Sequence, residues 1–126
     1  MFLRSGQAII SNCTIIGNRT TRHTAGISTF NDSNIPTLTN CFIWGNKAPT
    51  GDPEWNQLLM EKGTINNSVV QHWTGRYGGE GNFDAEPRFI GPGRKNLRLH
   101  PDSPCIDAGS DEAVTEAVDL DGNPRI

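Results

Sequence analysis

The 126-residue sequence predicts an all-β fold: a parallel β-helix solenoid of about three rungs of 27–28 residues, followed by an irregular C-terminal capping tail. The main observation is a repeat, because residues 12–18 (NCTIIGN) recur as residues 40–46 (NCFIWGN), 28 positions later. A looser copy begins at Asn67, after a further 27 positions. Self-similarity at a fixed period is typical of stacked repeats, in which each unit buries its apolar face against the next.

A second observation identifies the repeated unit as a strand. Apolar or small residues occupy alternate positions in each copy, which is the period of a β-strand rather than of a helix. Strands that stack in parallel about 4.8 Å apart would place equivalent residues in rows. We expect two inward rows, which are Cys13, Cys41 and Ser68, and Ile15, Ile43 and Val70.

The third observation is the Gly-Asn pair that ends the first two copies. Gly17 and Gly45 stand where the chain must turn out of the strand, and glycine adopts positive φ without a Cβ clash. Asn18 and Asn46 should then stack on each other at the corner.

The remaining walls of each rung are less clearly marked. Residues Ala25–Phe30 are interpreted as a second wall of the first rung. In the second rung, residues 53–62 allow two interpretations. Asp52 and Pro53 are suited to begin a short helix, whereas the rung requires a strand, which we favour near Gln57–Met60.

The repeats and the tail together resemble a known family. The tail motifs are GNFDAEPRF at residues 81–89, SPCIDAG at 103–109 and DLDGNPR at 119–125. With the NCTIxGN units, they are similar to the C-terminal part of bacterial right-handed parallel β-helix proteins of the choice-of-anchor or polymorphic-membrane-protein-like kind. The resemblance implies a secreted or cell-surface protein with a pectate-lyase-like fold, no established activity for most members, and no catalytic residue.

The resemblance also implies the organisation of the chain. Flanking rungs are expected before residue 1 and a final strand after residue 126, so the chain is interpreted as a fragment of a longer protein. Residues 1–72 would form the rungs. Residues 73–126 would form a loop and tail packed on the same solenoid, within a single domain.

Composition excludes several kinds of partner. The net charge is −3 and the 11 Lys and Arg residues form no dense cluster, so nucleic acid is not an expected partner. No apolar stretch approaches the roughly 18 residues of a membrane-spanning helix, so no span is expected. The hydrophobic fraction of 34% together with 14 glycines fits a coil with many turns.

Cysteines and acidic residues give little support for a cofactor. Cys13 and Cys41 would be neighbours in one row, where a disulfide is feasible, but two small buried thiols are the preferred interpretation. No Cys-x-x-Cys pair suggests zinc. The acidic stretch at residues 119–123 has its glycine in the fourth place and no closing Glu, so its spacing does not support calcium and an ordinary turn is preferred.

One loop carries the residue types of a sugar site. Residues 73–80 combine two aromatic faces with a cation and an acceptor, and these candidate ligand-binding residues are Trp73, Arg76, Tyr77 and Glu80. A polysaccharide or cell-surface glycan is the corresponding partner. The alternative is a capping loop whose aromatic side chains are buried anchors, and large aromatic side chains more often serve packing.

Two functions remain open at this point. The first is a non-catalytic structural or adhesive segment of a surface β-helix. The second is a fragment of a polysaccharide lyase or glycoside hydrolase whose catalytic rungs lie elsewhere in the longer protein. Both chemistries need carboxylates facing the sugar. None occurs in the outward positions of the aligned copies, which are Thr14, Phe42, Val69, Ile16, Trp44 and Gln71.

Overall fold

The computed structural model describes residues 1–3, 6–29, 34–91, 93, 96–119 and 121–124. Phe30 of the expected second wall, and Leu120 and Arg125 of the tail motif, lie outside these residues. The described part contains nine strands and one α-helix: β1 (Phe2–Leu3), β2 (Ile9–Ser11), β3 (Thr14–Ile16), β4 (Ile27–Thr29), β5 (Thr37–Thr39), β6 (Phe42–Trp44), α1 (Pro53–Gln57), β7 (Leu58–Leu59), β8 (Thr64–Asn66) and β9 (Val69–Val70).

The strands form three parallel sheets of three strands each. Each of the first six strands pairs with the one three places later in the chain, which gives the orders β1-β4-β7, β2-β5-β8 and β3-β6-β9. Within the second and third sheets, paired residues are 28 and then 27 positions apart. The strand content agrees with the expected all-β class. The period of the sequence repeat is therefore the spacing between strands that pair in parallel.

The core lies between the three sheets and is built from one buried row in each. In the third sheet Ile15 is opposite Ile43, which is opposite Val70, and the last two are fully buried. Equivalent rows in the other two sheets supply Ile27, Leu58, Leu38 and Ile65, each fully buried.

The cysteine row is buried in part and contains no disulfide. Cys41 and Ser68 are buried, Cys13 is half-buried, and the Ser68 Oγ accepts the amide hydrogen of Cys41 at 3.0 Å. Both thiols donate to carbonyl oxygens close by, Cys13 to Ser11 at 3.1 Å and Cys41 to Thr39 at 3.3 Å. All three cysteines are free. Burial raises the pKa of the Cys41 thiol, which keeps it protonated.

Side-chain amides join the turns that follow the paired strands β3 and β6. Gly17 and Gly45 have φ of 60° and 65°, in the left-handed region that the turn requires. The Asn18 Nδ2 donates to the Asn46 Oδ1 at 3.0 Å, and Asn46 is buried whereas Asn18 is exposed. The Gln57 side chain reaches the same corner and donates to the Asn46 carbonyl at 2.9 Å.

The two interpretations of residues 53–62 prove to be complementary. Asp52 caps α1 by accepting the Glu54 amide hydrogen at 2.9 Å, and Pro53 stands in the first turn, where its missing N–H is no loss. The helix ends at Gln57 and β7 follows at once. The strand is shorter than the expected Gln57–Met60, because Gln57 is helical and Met60 lies beyond β7. The helix shifts β7 along the chain, since Ile27 is opposite Leu58, 31 positions later, whereas Leu38 is opposite Ile65, only 27 positions later.

Candidate functional site

The loop predicted to bind sugar leaves β9 and folds back onto the core. Trp73 and Tyr77 are half-buried and pack against the core cluster, with their ring centroids 6.2 Å apart and their planes at 38°. The Tyr77 hydroxyl donates to the carbonyl of Leu58, in β7, at 2.9 Å. Burial is the main reason that the pKa of Tyr77 is raised. Both aromatic side chains therefore act as anchors of the loop.

Arg76 is held by two carboxylates on the cap and first turn of α1. Its Nη2 lies 3.1 Å from the Asp52 Oδ2, and its Nε lies 3.1 Å from the Glu54 Oε2. The guanidinium carbon also lies 5.4 Å from the ring centroid of Trp55, within cation–π range. Desolvation opposes the charged form of Arg76, but the hydrogen bond and charge of Asp52 raise its pKa overall.

Glu54 is a fully buried carboxylate that the sequence analysis did not single out. Its Oε1 accepts the amide hydrogen of Thr74 at 2.8 Å, and its Oε2 accepts the Thr74 hydroxyl at 2.7 Å. With Arg76 as a further donor, both oxygens are satisfied, as a buried charge requires. The only signal in the sequence is an acidic residue in the first turn of a helix capped by Asp52.

Glu80 belongs to a segment that continues the third sheet. The Glu80 carbonyl accepts the amide hydrogen of Asn67 at 2.8 Å, while its own amide donates to the Asn66 Oδ1 at 2.9 Å. Farther along, Phe83 forms a parallel bridge with Val69. The backbone of residues 80–83 thus covers the outer edge of β9, and the Glu80 side chain is exposed.

Asn82 extends this closure to the neighbouring sheet. Its Oδ1 accepts the amide hydrogen of Ser68 at 3.1 Å, and its Nδ2 donates to the Ile65 carbonyl, in β8, at 2.7 Å. The loop backbone lies so close to β8 that Gly79 has no room for a side chain. An added Cβ there would lie 1.8 Å from the Ile65 carbonyl oxygen. Residues 73–83, which we call the cap loop, therefore satisfy backbone groups of the last strand in all three sheets.

The tail crosses a second row of asparagines. Asn12, Asn40 and Asn67 have φ of 54°, 54° and 49°, and Asn40 donates to the Asn12 Oδ1 at 3.1 Å. Asn40 also exchanges two hydrogen bonds of 2.8 Å with the Ser110 backbone, and Asn12 donates to the Ala113 carbonyl at 2.8 Å. The same polar row thus links equivalent turns and holds part of the tail. We call that part, residues 105–113, the strap.

Apolar contacts attach the earlier part of the tail. Phe42 faces outward and packs edge-on against Phe89, with ring centroids 5.8 Å apart. Phe89 thus covers an outward aromatic residue. Ile90 and Leu97, farther along the tail, are 51% and 40% exposed, so the apolar cover of this wall does not extend to them.

The acidic stretch at the end of the chain forms a turn. The Asp119 Oδ1 accepts the amide hydrogens of Asp121 and Asn123 at 2.8 and 2.9 Å, and Asp121 pairs with Arg98. That pairing lowers the pKa of Asp121. Among the described residues no group of three or more His, Cys, Asp or Glu side chains is arranged to hold a metal ion.

The predicted ligand-binding residues are thus used in different ways. Trp73 and Tyr77 meet each other, Arg76 turns to α1, and Glu80 contributes its backbone to the sheet edge. No helix within the described ranges is long and apolar enough to span a membrane. Comparison with models of protein families, with curated proteins and with solved structures gives no match.

Proposed function

We propose that this chain is a segment of a right-handed parallel β-helix and serves as a non-catalytic structural or adhesive module of a secreted or cell-surface protein. The observation that carries the proposal is the shared register, in which strands of all three sheets pair in parallel with the strand three places later. A chain that winds through three walls in turn produces this order. The resemblance of the repeats and the tail to surface β-helix proteins supports the location.

The cap loop supports a structural role. An uncovered terminal strand presents free N–H and C=O groups that can pair with other chains, and repeat proteins close their ends for this reason. Here one loop bonds to Leu58, Ile65 and the edge of β9. Its aromatic residues and the Glu54–Arg76 pair hold it in place. We therefore propose that the main role of the loop is to close the exposed edges of the last strands.

The outward row of the third sheet supports a role without catalysis. Thr14 lies opposite Phe42, and Ile16 lies opposite Trp44. Hydrolysis of a glycosidic bond uses two carboxylates facing across it, and elimination from an acidic sugar needs a base near the substrate. A hydroxyl and three apolar side chains offer neither group. Phe42 packs against Phe89 and Trp44 is half-buried, so this wall suits packing rather than catalysis.

A binding and turnover experiment on the purified chain tests this proposal. We expect retention on at least one class of glycan in an array, with no shorter or unsaturated sugars released from the bound polysaccharide in the presence of calcium. Release of such sugars would show that the chain is an enzyme. If the chain binds none of the glycans, the adhesive role is contradicted and the structural role remains.

A further inference from the structure

A depression of about 770 Å³ lies beside the corner that follows β3 and β6. It is far in sequence from the cap loop and the tail. Three residues come from the turn after β3 and three from the equivalent turn after β6, so the two rungs build it together. We call it the corner groove, and its lining residues are Arg19, Thr20, Thr21, Lys47, Ala48 and Pro49.

The corner groove places two cations directly opposite each other. Arg19 and Lys47 form a parallel bridge, and the Thr20 amide donates to the Lys47 carbonyl at 3.1 Å, which fixes the two backbones side by side. Like charges in opposed positions of neighbouring strands destabilise a sheet. Both side chains are exposed, and the structure pairs neither with a carboxylate of the described residues. An anion between them would remove the repulsion.

The rest of the lining offers the contacts that a sugar uses. The Thr20 Oγ1 accepts the amide hydrogen of Arg22 at 3.1 Å, which leaves the hydroxyl proton for a ligand, and Thr21 adds a second hydroxyl. Ala48 and Pro49 give an apolar patch for the carbon face of a ring. Charge, hydroxyl groups and apolar surface thus meet in one groove.

We propose that the corner groove binds an acidic polysaccharide, with an anionic group of the polymer held between Arg19 and Lys47. The arginine fork and the lysine ammonium both form strong charge-assisted hydrogen bonds with an oxyanion. The proposal rests on the proposed adhesive function for the class of macromolecule. Nucleic acid is disfavoured because proteins commonly neutralise about 6–10 phosphates, whereas the groove has two cations and the whole chain carries a charge of −3.

The test compares dextran sulfate, neutral dextran and polyglutamate by titration calorimetry at low and high salt. We expect the chain to bind dextran sulfate, to bind the other two at least about tenfold more weakly, and to lose affinity as salt screens the charges. Equal binding of dextran would overturn the anionic requirement. Equal or tighter binding of polyglutamate would overturn the assignment to a polysaccharide.

Variants assign the binding to the groove. Arg19→Gln and Lys47→Gln should each weaken dextran sulfate binding about tenfold, the usual size of one charged contact. Their melting temperatures should be unchanged or higher, because each substitution removes one of the two opposed charges and so ends their repulsion. Arg22→Gln removes an equal charge three residues from Arg19, outside the lining, and should keep most of the affinity.

The outcome separates this inference from the proposed function. Equal losses in Arg22→Gln and Lys47→Gln would show that overall charge, not the corner groove, binds the polymer, and would overturn the inference. So would undiminished binding by the Arg19→Gln/Lys47→Gln double variant. Retention of the chain on a neutral glycan, without binding of dextran sulfate, would contradict polymer binding at the corner groove but support the adhesive function.

Discussion

At the scale of single residues, the inward row of the third sheet makes the sharpest prediction. Ile43 lies between Ile15 and Val70 and is fully buried, so Ile43→Ala should lower the free energy of unfolding by about 2–5 kcal/mol. The loss combines the removed apolar contact with the cavity left behind. Urea denaturation followed by circular dichroism measures it.

Thr14→Ala is the matched control, because Thr14 neighbours this row in β3 but is exposed. Its free energy of unfolding should change by no more than about 0.5 kcal/mol, as at other surface positions. Equal losses in the two variants would show that the inward and outward faces of this sheet have been assigned the wrong way round.

The left-handed asparagines make a second residue-scale prediction. Asn40 has φ of 54°, and its side chain holds both Asn12 and the strap. Asn40→Ala and Asn40→Gly both lose these bonds, but only alanine also places a Cβ in the left-handed region, which costs about 1–2 kcal/mol. Chemical denaturation should therefore show the alanine variant to be the less stable by about that amount. Equal stabilities would contradict the left-handed backbone.

Some of this residue-scale detail could be predicted from sequence and some could not. The rows through Ile43 and Cys41 follow from a period that is visible in the repeat. The left-handed conformation of Asn40 had a signal, since asparagine is among the non-glycine residues enriched there and recurs just before the cysteine. The bonds from Asn40 to Ser110 join residues 70 positions apart, and no local pattern encodes them.

At the scale of elements, the cap loop depends on a close approach to β8. Gly79 and Gly75 both have φ of 84°, but only at Gly79 would a Cβ meet backbone, 1.8 Å from the Ile65 oxygen. Gly79→Ala should therefore detach the loop from the edge of β8. We expect faster amide hydrogen exchange at Asn67 and Val70, whose N–H groups bond to residues 80 and 83.

Gly75→Ala carries the same backbone strain in open space and serves as the control. It should lower stability modestly and leave the exchange rates at Asn67 and Val70 nearly as in the unchanged protein. If both variants accelerate exchange equally, the loop is sensitive to strain in general, and the specific contact with β8 is wrong.

The cap of α1 makes a pH-dependent prediction. The hydrogen bond from the Glu54 amide, and then Arg76, lower the pKa of Asp52. The folded state thus favours the charged form. The resulting stabilisation is complete above the unfolded pKa of about 3.9 and is lost as the pH falls through the lower folded value. Asp52→Asn should melt at a lower temperature than the unchanged protein near neutral pH, and this difference should vanish in acid.

Asp107→Asn is a suitable comparison for this experiment. Asp107 is exposed, and replacing it removes the same charge from another part of the surface. Its melting temperature should follow that of the unchanged protein more closely at neutral pH. A difference that follows the same course with pH in both variants would attribute the effect to net charge rather than to the bonds of Asp52 with the Glu54 amide and Arg76.

The elements show where local sequence stops being informative. Asp52 and Pro53 mark the start of α1, but its end at Gln57 depends on a side chain that must reach Asn46, 11 positions earlier, at the corner after β6. The aromatic and charged residues of the cap loop resemble a sugar site in composition. Their pairing with Glu54 and Leu58 arises only when the rungs stack, so composition could not separate a cap from a binding loop.

At the scale of the whole molecule, closure of the fold and the proposed ligand contact use different surfaces. The cap loop closes the edges of β7, β8 and β9, and the strap runs along the asparagine row from the buried Cys105 to Asn12. The corner groove lies at a different corner, after β3 and β6. Closure of the fold and the proposed contact with a polymer therefore use separate residues, and each can be altered without the other.

Nuclear Overhauser spectroscopy of the side chains of β3 and β6 directly tests whether successive rungs stack in parallel with the register of the sequence repeat. Parallel stacking predicts cross-peaks between Thr14 and Phe42 and between Ile16 and Trp44, together with Ile15–Ile43 and Ile43–Val70 contacts. Cross-peaks joining Thr14 to Trp44 and Ile16 to Phe42 instead would mean antiparallel strands, and would contradict the stacked-rung architecture.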